Sequence, residues 1–471
     1  MKLIDCFIPF ESDDQVKATV ENLKKQSEVS KIELVDSTKL KSTASIREIA
    51  AKAEAPFTLI YTKTTTLSFV LFALERMIAI AEDSGAAMVY ADHFNRADGV
   101  DSFAPVIDYQ FGALRDDFDF GGVLLYRTSA LKEAVSRMDT EYRHAGLYDL
   151  RLKVSQKGSL VHMNEYLYYE IELDNRKSGE KIFDYVDPKN RAVQIEMEQA
   201  CTRHLKDIGG YLAPEFKSVD LTEGDFEYEA SVVIPCKNRV RTIADAINSA
   251  LNQKTDFKYN VIVVDDNSTD GTQDKIKQFI DNPKLVYIAQ DKSYHAIGGN
   301  WNMALHHPKC GRFALQLDSD DLYSDETVVQ RFVDAFRKQN CAMVVGTYQL
   351  TDINLRPLPP GVIDHKEWTP ENGRNNALRI NGLGAPRGFW TPLLRKINFP
   401  TTKYGEDYAV GLRVSREYQI GRIYDVMYNC RRWDDNSDAN CDIVKMNGNN
   451  LYKDRIRTWE LEARVKMNKE K

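Results

Sequence analysis

No apolar run in this 471-residue chain approaches the roughly 20 residues that a bilayer-spanning helix needs. An acid follows the first residues at once, in Met1-Lys2-Leu3-Ile4-Asp5, so no secretory leader pattern is read. Cysteine is sparse. The seven are scattered, with no Cys-x-x-Cys and no Cys/His zinc spacing. An odd count without a framework fits reduced thiols and a cytoplasmic protein. Positive charge is in deficit too: Lys and Arg number 63 against 70 Asp and Glu, a net charge of −7. That balance excludes a nucleic-acid binder relying on a broad basic field. The remainder is ordinary for a globular protein, 43% hydrophobic and 28% charged. The length predicts two or three domains.

The most informative stretch is Gln316-Leu317-Asp318-Ser319-Asp320-Asp321. It ends an apolar run from Arg312 that reads as a buried strand, so the acids emerge at its C-terminal mouth. Three carboxylates in four residues repel one another unless a cation neutralises them. Hard oxygen ligands suit Mg²⁺ or Mn²⁺, ions that bridge phosphates. The pattern therefore suggests a metal–diphosphate site, although Asp-Ser-Asp-Asp is also common turn chemistry.

The surrounding residues form a βαβ pattern. Ala230 to Pro235 and Tyr259 to Val264 read as buried strands, and 241–252 between them has helical periodicity. Strand, helix, strand at this spacing implies a parallel pair with a right-handed crossover. Ligands of such sheets bind outside the carboxyl ends of the strands. The first half reads as a worn copy of the second. Ile4 to Pro9 parallels Ser231 to Pro235, and Ile32 to Thr38 parallels Val261 to Thr269. Thr58 to Thr65 parallels Ala314 to Asp321, and Ala87-Met88-Val89 parallels Ala342-Met343-Val344. Leu152-Lys153-Val154-Ser155 parallels Leu412-Arg413-Val414-Ser415. Anchors in the same order suggest a tandem duplication. The copies differ where chemistry is expected. Asp318-Ser319-Asp320 is matched by Thr62-Lys63-Thr64, and Glu406-Asp407 by Gly146-Leu147. The first copy is therefore expected to scaffold or recognise rather than catalyse.

Six segments in order resemble family 2 inverting glycosyltransferases with the GT-A fold. They are Val-Val-Ile-Pro-Cys-Lys-Asn (232–238), Val-Val-Asp-Asp-Asn-Ser-Thr-Asp-Gly-Thr (263–272), Gly-Asn-Trp-Asn-Met-Ala-Leu (299–305), Leu-Asp-Ser-Asp-Asp (317–321), Gly-Glu-Asp-Tyr (405–408) and Arg-Arg-Trp-Asp-Asp-Asn-Ser (431–437). The resemblance covers about 230 to 440. It implies an α/β protein: two tandem GT-A-like domains, Rossmann-like with mostly parallel sheets, plus a C-terminal helix. The expected boundaries are 1–185 for the degenerate copy, 186–229 for a helical connection and linker, 230–445 for the catalytic domain and 446–471 for an amphipathic helix.

The resemblance also implies roles. Pro235, Lys237 and Asn238 line the nucleoside pocket, and Asp266 accepts from the base. Asp318 meets the ribose side of the donor and, with Asp320, holds Mn²⁺ or Mg²⁺. Asn302, Arg431 and Arg432 lie on the donor side, with the arginines suited to phosphate. Asp407, at a helix start that favours a carboxylate, is the general base. Glu406, Trp433 and Trp390 belong to the acceptor side, Trp390 closing a glycine-rich segment from Asn381 that reads as a flexible sugar-binding wall or an ordinary loop. Two positions depart from many relatives: Lys237 stands where an aromatic stacks on the base, and Trp301 where an arginine meets the diphosphate.

The expected function is metal-dependent, inverting transfer of a sugar from a nucleotide-sugar to a glycan, lipid-linked or other hydroxyl acceptor in bacterial surface polysaccharide or glycoconjugate synthesis. UDP-sugars rank ahead of GDP- and dTDP-sugars. A sugar-1-phosphate nucleotidyltransferase is an alternative, but Cys236-Lys237-Asn238-Arg239 lacks the glycine-rich triphosphate loop such enzymes use. A non-catalytic carbohydrate-binding or scaffold protein is the other, against which the intact acids speak. The tail, 451–471, reads as a basic amphipathic helix that packs on the body or docks peripherally on an anionic membrane's inner face. An inert first copy offers a surface for self-association as a homo-oligomer.

Overall fold

The structure is a computed structural model. It describes residues 2–470 except 98, 172, 174–175, 177–180, 182–183, 185–186, 291–295, 367, 381, 434–435 and 437–440. The first half runs β1 (Ile4–Phe10), α1 (Asp13–Lys24), β2 (Val29–Asp36), α2 (Thr43–Lys52), β3 (Phe57–Tyr61), β4 (Ser68–Phe69), α3 (Ala73–Ser84), β5 (Met88–Ala97), β6 (Val100–Ala104), β7 (Val123–Arg127), α4 (Thr128–Ser136), α5 (Gly146–Ser155) and β8 (Leu160–Glu170). Helix α6 (Arg191–Asp207) leads to the second half. That half runs β9 (Ala230–Cys236), α7 (Ile243–Leu251), β10 (Tyr259–Asp265), α8 (Thr272–Lys277), β11 (Leu285–Ala289), α9 (Ala296–His306), β12 (Phe313–Gln316), β13 (Leu322–Tyr323), α10 (Val328–Gln339), β14 (Met343–Asp352), β15 (Pro357–Ile363), α11 (Gly373–Asn376), β16 (Arg387–Trp390), α12 (Thr391–Ile397), α13 (Glu406–Ser415) and β17 (Ile420–Arg432). Helix α14 (Ile443–Lys469) follows.

Among the described residues the strands form two sheets with one plan. The first is ordered β2-β1-β3-β7-β5-β8-β4, with β6 on β5; the second is β11-β10-β9-β12-β16-β14-β17-β13, with β15 on β14. Strand for strand these agree, apart from the extra β11. Strand senses agree as well: β1 pairs parallel with β2 and β3 as β9 does with β10 and β12. Strands β7 and β16 both run antiparallel to their neighbours. Both halves thus have the GT-A-like α/β plan. The sheets are more mixed than expected, because β7 and β16 return through the middle of each sheet against the parallel strands.

The central strands form because their residues suit burial on both faces. Every residue of β9, Ala-Ser-Val-Val-Ile-Pro-Cys, is buried, as is every residue of β10. Helix α7 covers them with Ile243, Ala246, Ile247 and Ala250. The glycine-rich segment before α12 ends in strand, not loop: Arg387–Trp390 is β16, all four residues buried. Gly388 makes this possible, since a Cβ there would meet Leu315, Phe332 and Phe336 at 2.9–3.0 Å. Asn381, at the start of that segment, lies outside the described residues.

Helix α14 braces the halves with a polar face. Asp442 caps it by accepting from Lys445 N–H. Arg457 and Arg464 are fully buried. Arg457 donates to the Tyr408 hydroxyl at 2.8 Å and pairs with Asp454 at 2.9 Å; Asp454 also meets Arg115 of the first half at 3.3 Å. Arg464 pairs with Glu460 at 2.7 Å and donates to the Arg374 carbonyl at 2.8 Å. Arg457 and Arg464 thus face inward, in keeping with the expectation that this helix packs on the body, whereas Arg455 and Lys466 are exposed. No helix of the described residues is long and apolar enough to cross a membrane.

Candidate active site

A cavity of about 660 Å³ opens at the carboxyl ends of β9, β10 and β12. Pro235, Lys237, Asp266, Asp318, Asp320, Glu406, Asp407, Arg431 and Arg432 all line it. The chain brings them from five elements. Pro235 and Lys237 stand at the end of β9, Asp266 just past β10, Asp318 and Asp320 past β12, and the arginines at the end of β17. Glu406 and Asp407 form the first turn of α13. That helix starts at Gly405, whose φ of 77° is a left-handed conformation that favours glycine. Helix α9 lies close beneath: a Cβ on its Gly298 would meet the Pro400 carbonyl oxygen at 1.9 Å.

The acidic turn is tightly held. Gln316 donates its amide to both Asp318 oxygens at 2.9 and 3.0 Å, and the Asp318 N–H donates to the Tyr428 hydroxyl at 2.9 Å. Asp321 is buried and accepts from the Arg431 N–H at 2.7 Å. Burial, then repulsion from Asp320 and Asp318, pushes the Asp321 carboxyl well above its usual range. Burial also raises Asp318, against the pull of Gln316 and Arg387. Asp320 faces Arg239 at 3.4 Å and accepts from Asn436 at 3.3 Å. Among the described residues no group of three or more His, Cys, Asp or Glu side chains forms a ready-made metal centre. The donor set nevertheless fits one hard cation. The three carboxylates crowd one another, and Mg²⁺ is commonly held by one or two carboxylates with substrate phosphates completing its shell.

Past the ends of β9 and β10, Lys237 reaches Asp266 at 3.3 Å. Asp407, also in the lining, forms an ion pair with Arg387. Burial raises Glu406 and lowers Arg387, the latter opposed by the charges of Asp318 and Glu406. Part of the lining is aromatic. Trp301 stacks on Phe399 with centroids 5.1 Å apart and meets Phe389 edge-on at 5.6 Å.

Four expected site residues lie elsewhere. Asn238 pins the turn after β9: its N–H donates to Ser268 Oγ at 2.8 Å and its side chain accepts from the Thr269 N–H at 2.9 Å. Asn302 makes two 2.8 Å bonds to the Phe399 backbone, so it fixes the loop before α13. Trp390 is buried opposite Phe313, at the far end of β12 from the cavity. Trp433 carries the Arg241 guanidinium over its ring at 4.8 Å and is not in the lining. Asp434, Asp435 and Ser437 of the same segment lie outside the described residues. The reading from sequence missed Arg239, Asn300, Arg387, Phe389, Phe399 and Lys403, all in the lining. A cation between a glycine-rich run and an apolar strand was the available signal for Arg387.

In the first half the equivalent mouth is filled from within. Lys63 is ion-paired to the buried Glu170, which also meets His93 at 3.0 Å and accepts from the Gly122 N–H at 3.1 Å.

The second half is thus a mixed α/β sheet with a carboxylate-lined cavity at its strand ends. Residues 231–397 match the family model described as Glycosyl transferase family 2, and this half of the chain is a family 2 glycosyltransferase domain. The chain is 28% identical over 199 residues to UDP-Glc:alpha-D-GlcNAc-diphosphoundecaprenol beta-1,3-glucosyltransferase WfgD of Escherichia coli, covering 42% of this chain and 74% of that protein. It is 29% identical over 211 residues to the poly(ribitol-phosphate) beta-glucosyltransferase of Bacillus spizizenii, covering 43% of this chain and 32% of that one. Among solved structures, S. aureus TarS 1–349 in complex with UDP-GlcNAc aligns with a TM-score of 0.39 at 22% identity, covering 50% of this chain and 72% of that one.

Proposed function

We propose that the second half moves a sugar, with inversion, from a nucleotide-diphosphate sugar to a hydroxyl of a glycan or lipid-linked acceptor in bacterial surface polysaccharide or glycoconjugate synthesis. One observation carries this reading: carboxylates from the strand ends and from the start of α13 open onto one cavity of about 660 Å³. That volume suits a nucleotide-sugar. A UDP donor ranks first, in line with the UDP-Glc named for the E. coli relative. Its diphosphoundecaprenol-linked acceptor supports a peripheral site of action at the cytoplasmic membrane face.

Lys237 and Asp266 recognise the base. Asp320, with Asp318, holds Mg²⁺ or Mn²⁺, which when bound offsets charge on the leaving diphosphate. Arg431 and Arg432 add positive charge beside it. Asp407 takes the proton of the acceptor hydroxyl as its oxygen bonds to the anomeric carbon. The bond from that carbon to the diphosphate breaks on the opposite face, so an α-linked donor gives a β-linked product. The first copy, residues 1–185, serves as scaffold: Lys63 paired with Glu170 stands where the second copy keeps its acids. The connection spans 186–229, the catalytic domain 230–445 and the bracing helix 446–471.

A panel of UDP-, GDP- and dTDP-sugars with Mn²⁺, with and without EDTA, tests this. Nucleoside diphosphate release from one donor, lost with EDTA, is expected. Release unaffected by EDTA removes the metal. If no donor gives release, titration with free nucleoside diphosphates decides, and a lack of binding refutes the transferase reading.

A further inference from the structure

Arg387 enters the cavity from the first position of β16. Continuing the β12–β16 register, it lies opposite Gln316. Its backbone N–H and its Nε both donate to Gln316 Oε1, at 3.2 and 2.9 Å. Its Nη1 pairs with Asp407 Oδ2. Gln316 turns its own amide to Asp318. A hydrogen-bonded line therefore runs Asp318–Gln316–Arg387–Asp407, from the donor-side acids to the proposed base. The Arg387 side chain is only 10% exposed, and burying a guanidinium is costly unless its partners repay the lost hydration.

The fold itself does not require this pair. In the first copy the same register position joins Ile60 to Leu124. That copy also has Thr62 and Thr64 for Asp318 and Asp320, and Gly146-Leu147 for Glu406-Asp407. The same strand pairing is thus built from two apolar residues where the carboxylates are missing. The Arg–Gln pair accompanies the acids, not the sheet.

We infer that Arg387 is a positioning residue for transfer, orienting the Asp407 carboxylate toward the acceptor and stabilising its ionised form, while Gln316 fixes Arg387 between the two acidic groups. This rests on the transferase reading above. The other charged groups facing this end of the cavity are Glu406, Lys403 and Asp318, with Lys453 of α14 acting on Glu406.

The test compares wild type with Arg387→Gln and Arg387→Lys for nucleoside diphosphate release across pH. Arg387→Gln is expected to lower kcat about 100-fold with UDP affinity within about two-fold, and to move the acid limb of kcat/KM up by about one pH unit, as loss of a neighbouring opposite charge does. Arg387→Lys, which keeps a charge, is expected to recover part of both effects. An acid limb unmoved in Arg387→Gln, whatever its rate, overturns the inference, since a role limited to packing would lower the rate alone. If wild type releases nothing, titration with free nucleoside diphosphates decides the transferase reading separately. Carboxyl titration by NMR, with Asp407 assigned by Asp407→Asn, then tests the inference alone: the midpoint rises in Arg387→Gln if it holds and stays put if it does not.

Discussion

Asp320 and Asp407 line one cavity from different elements, the turn after β12 and the start of α13, and their substitutions are expected to act differently. Asp320→Ala removes a partly exposed carboxylate of the acidic turn. Release of nucleoside diphosphate is expected to fall to background and to lose its response to Mn²⁺, as read by the same assay with and without EDTA. Asp407→Asn keeps the shape of the first turn of α13 but cannot take a proton. Its kcat is expected to fall about 10²- to 10⁴-fold, while calorimetric titration with UDP gives an affinity near wild type. Equal loss of UDP binding in Asp407→Asn would place that residue on the donor side instead. Lys63 is the converse case. Removing it leaves Glu170 buried with less compensation, so Lys63→Ala is expected to destabilise the fold by about 3 kcal/mol. Turnover per folded molecule should be unchanged.

At the scale of single elements, α5 and α14 carry buried charge for different purposes. In α5, burial lifts Asp149 from 3.8 to about 6, ahead of the opposing pull of Lys153. The folded protein then holds a proton that the unfolded chain releases near pH 4. Between about pH 4 and 6 the native state binds more protons, so stability falls as pH rises through that window. Asp149→Asn is expected to match wild type below pH 4 and to exceed it above pH 6, by on the order of 2 kcal/mol. Urea unfolding at pH 4 and pH 7 measures the difference. In α14, Arg464 is tied to Glu460, to Arg374 and to Ser415. Arg464→Ala removes one ion-pair partner of the buried Glu460 and leaves it paired with Arg416. A loss of about 3 kcal/mol is expected in the same measurement.

On the scale of the whole molecule, the halves share more than a plan. One apolar cluster takes in Leu114, Tyr142, Tyr148 and Leu152 of the first half and continues through the second sheet. Arg379 reaches back to Asp116 at 2.7 Å, and Gly112 donates to Thr458 at 2.9 Å. Unfolding is therefore expected as one cooperative transition, with calorimetric and van't Hoff enthalpies in agreement. Two separate transitions would mean that the copies are energetically independent. Truncation before Ile443 removes the brace and uncovers Tyr408 and the Arg374 backbone, so a soluble, active second half is not expected from it.

Local patterning settled much of this molecule. The apolar runs at 230–236 and 259–265 could only be inner strands. The collinear anchors already implied that two halves share one plan, and the acids past β12 and at the start of α13 were legible because charge next to an apolar run needs an explanation. Tertiary structure decided what distant residues do to one another. Asn238 and Asn302 carry the right residue type, yet their amides are spent on Ser268, Thr269 and Phe399. Trp390 points into the core because β16 runs antiparallel beside β12, a reversal with no sequence period of its own. Arg457 and Arg464 look like a solvated basic face until the carbonyls and carboxylates around them are known. Arg387 had no visible partner, since Gln316 and Asp407 come to it from 71 and 20 residues away. Sequence fixes which groups are available and where each strand must end. Which carboxylate faces a cation and which faces solvent is settled only when strands far apart in the chain are brought side by side.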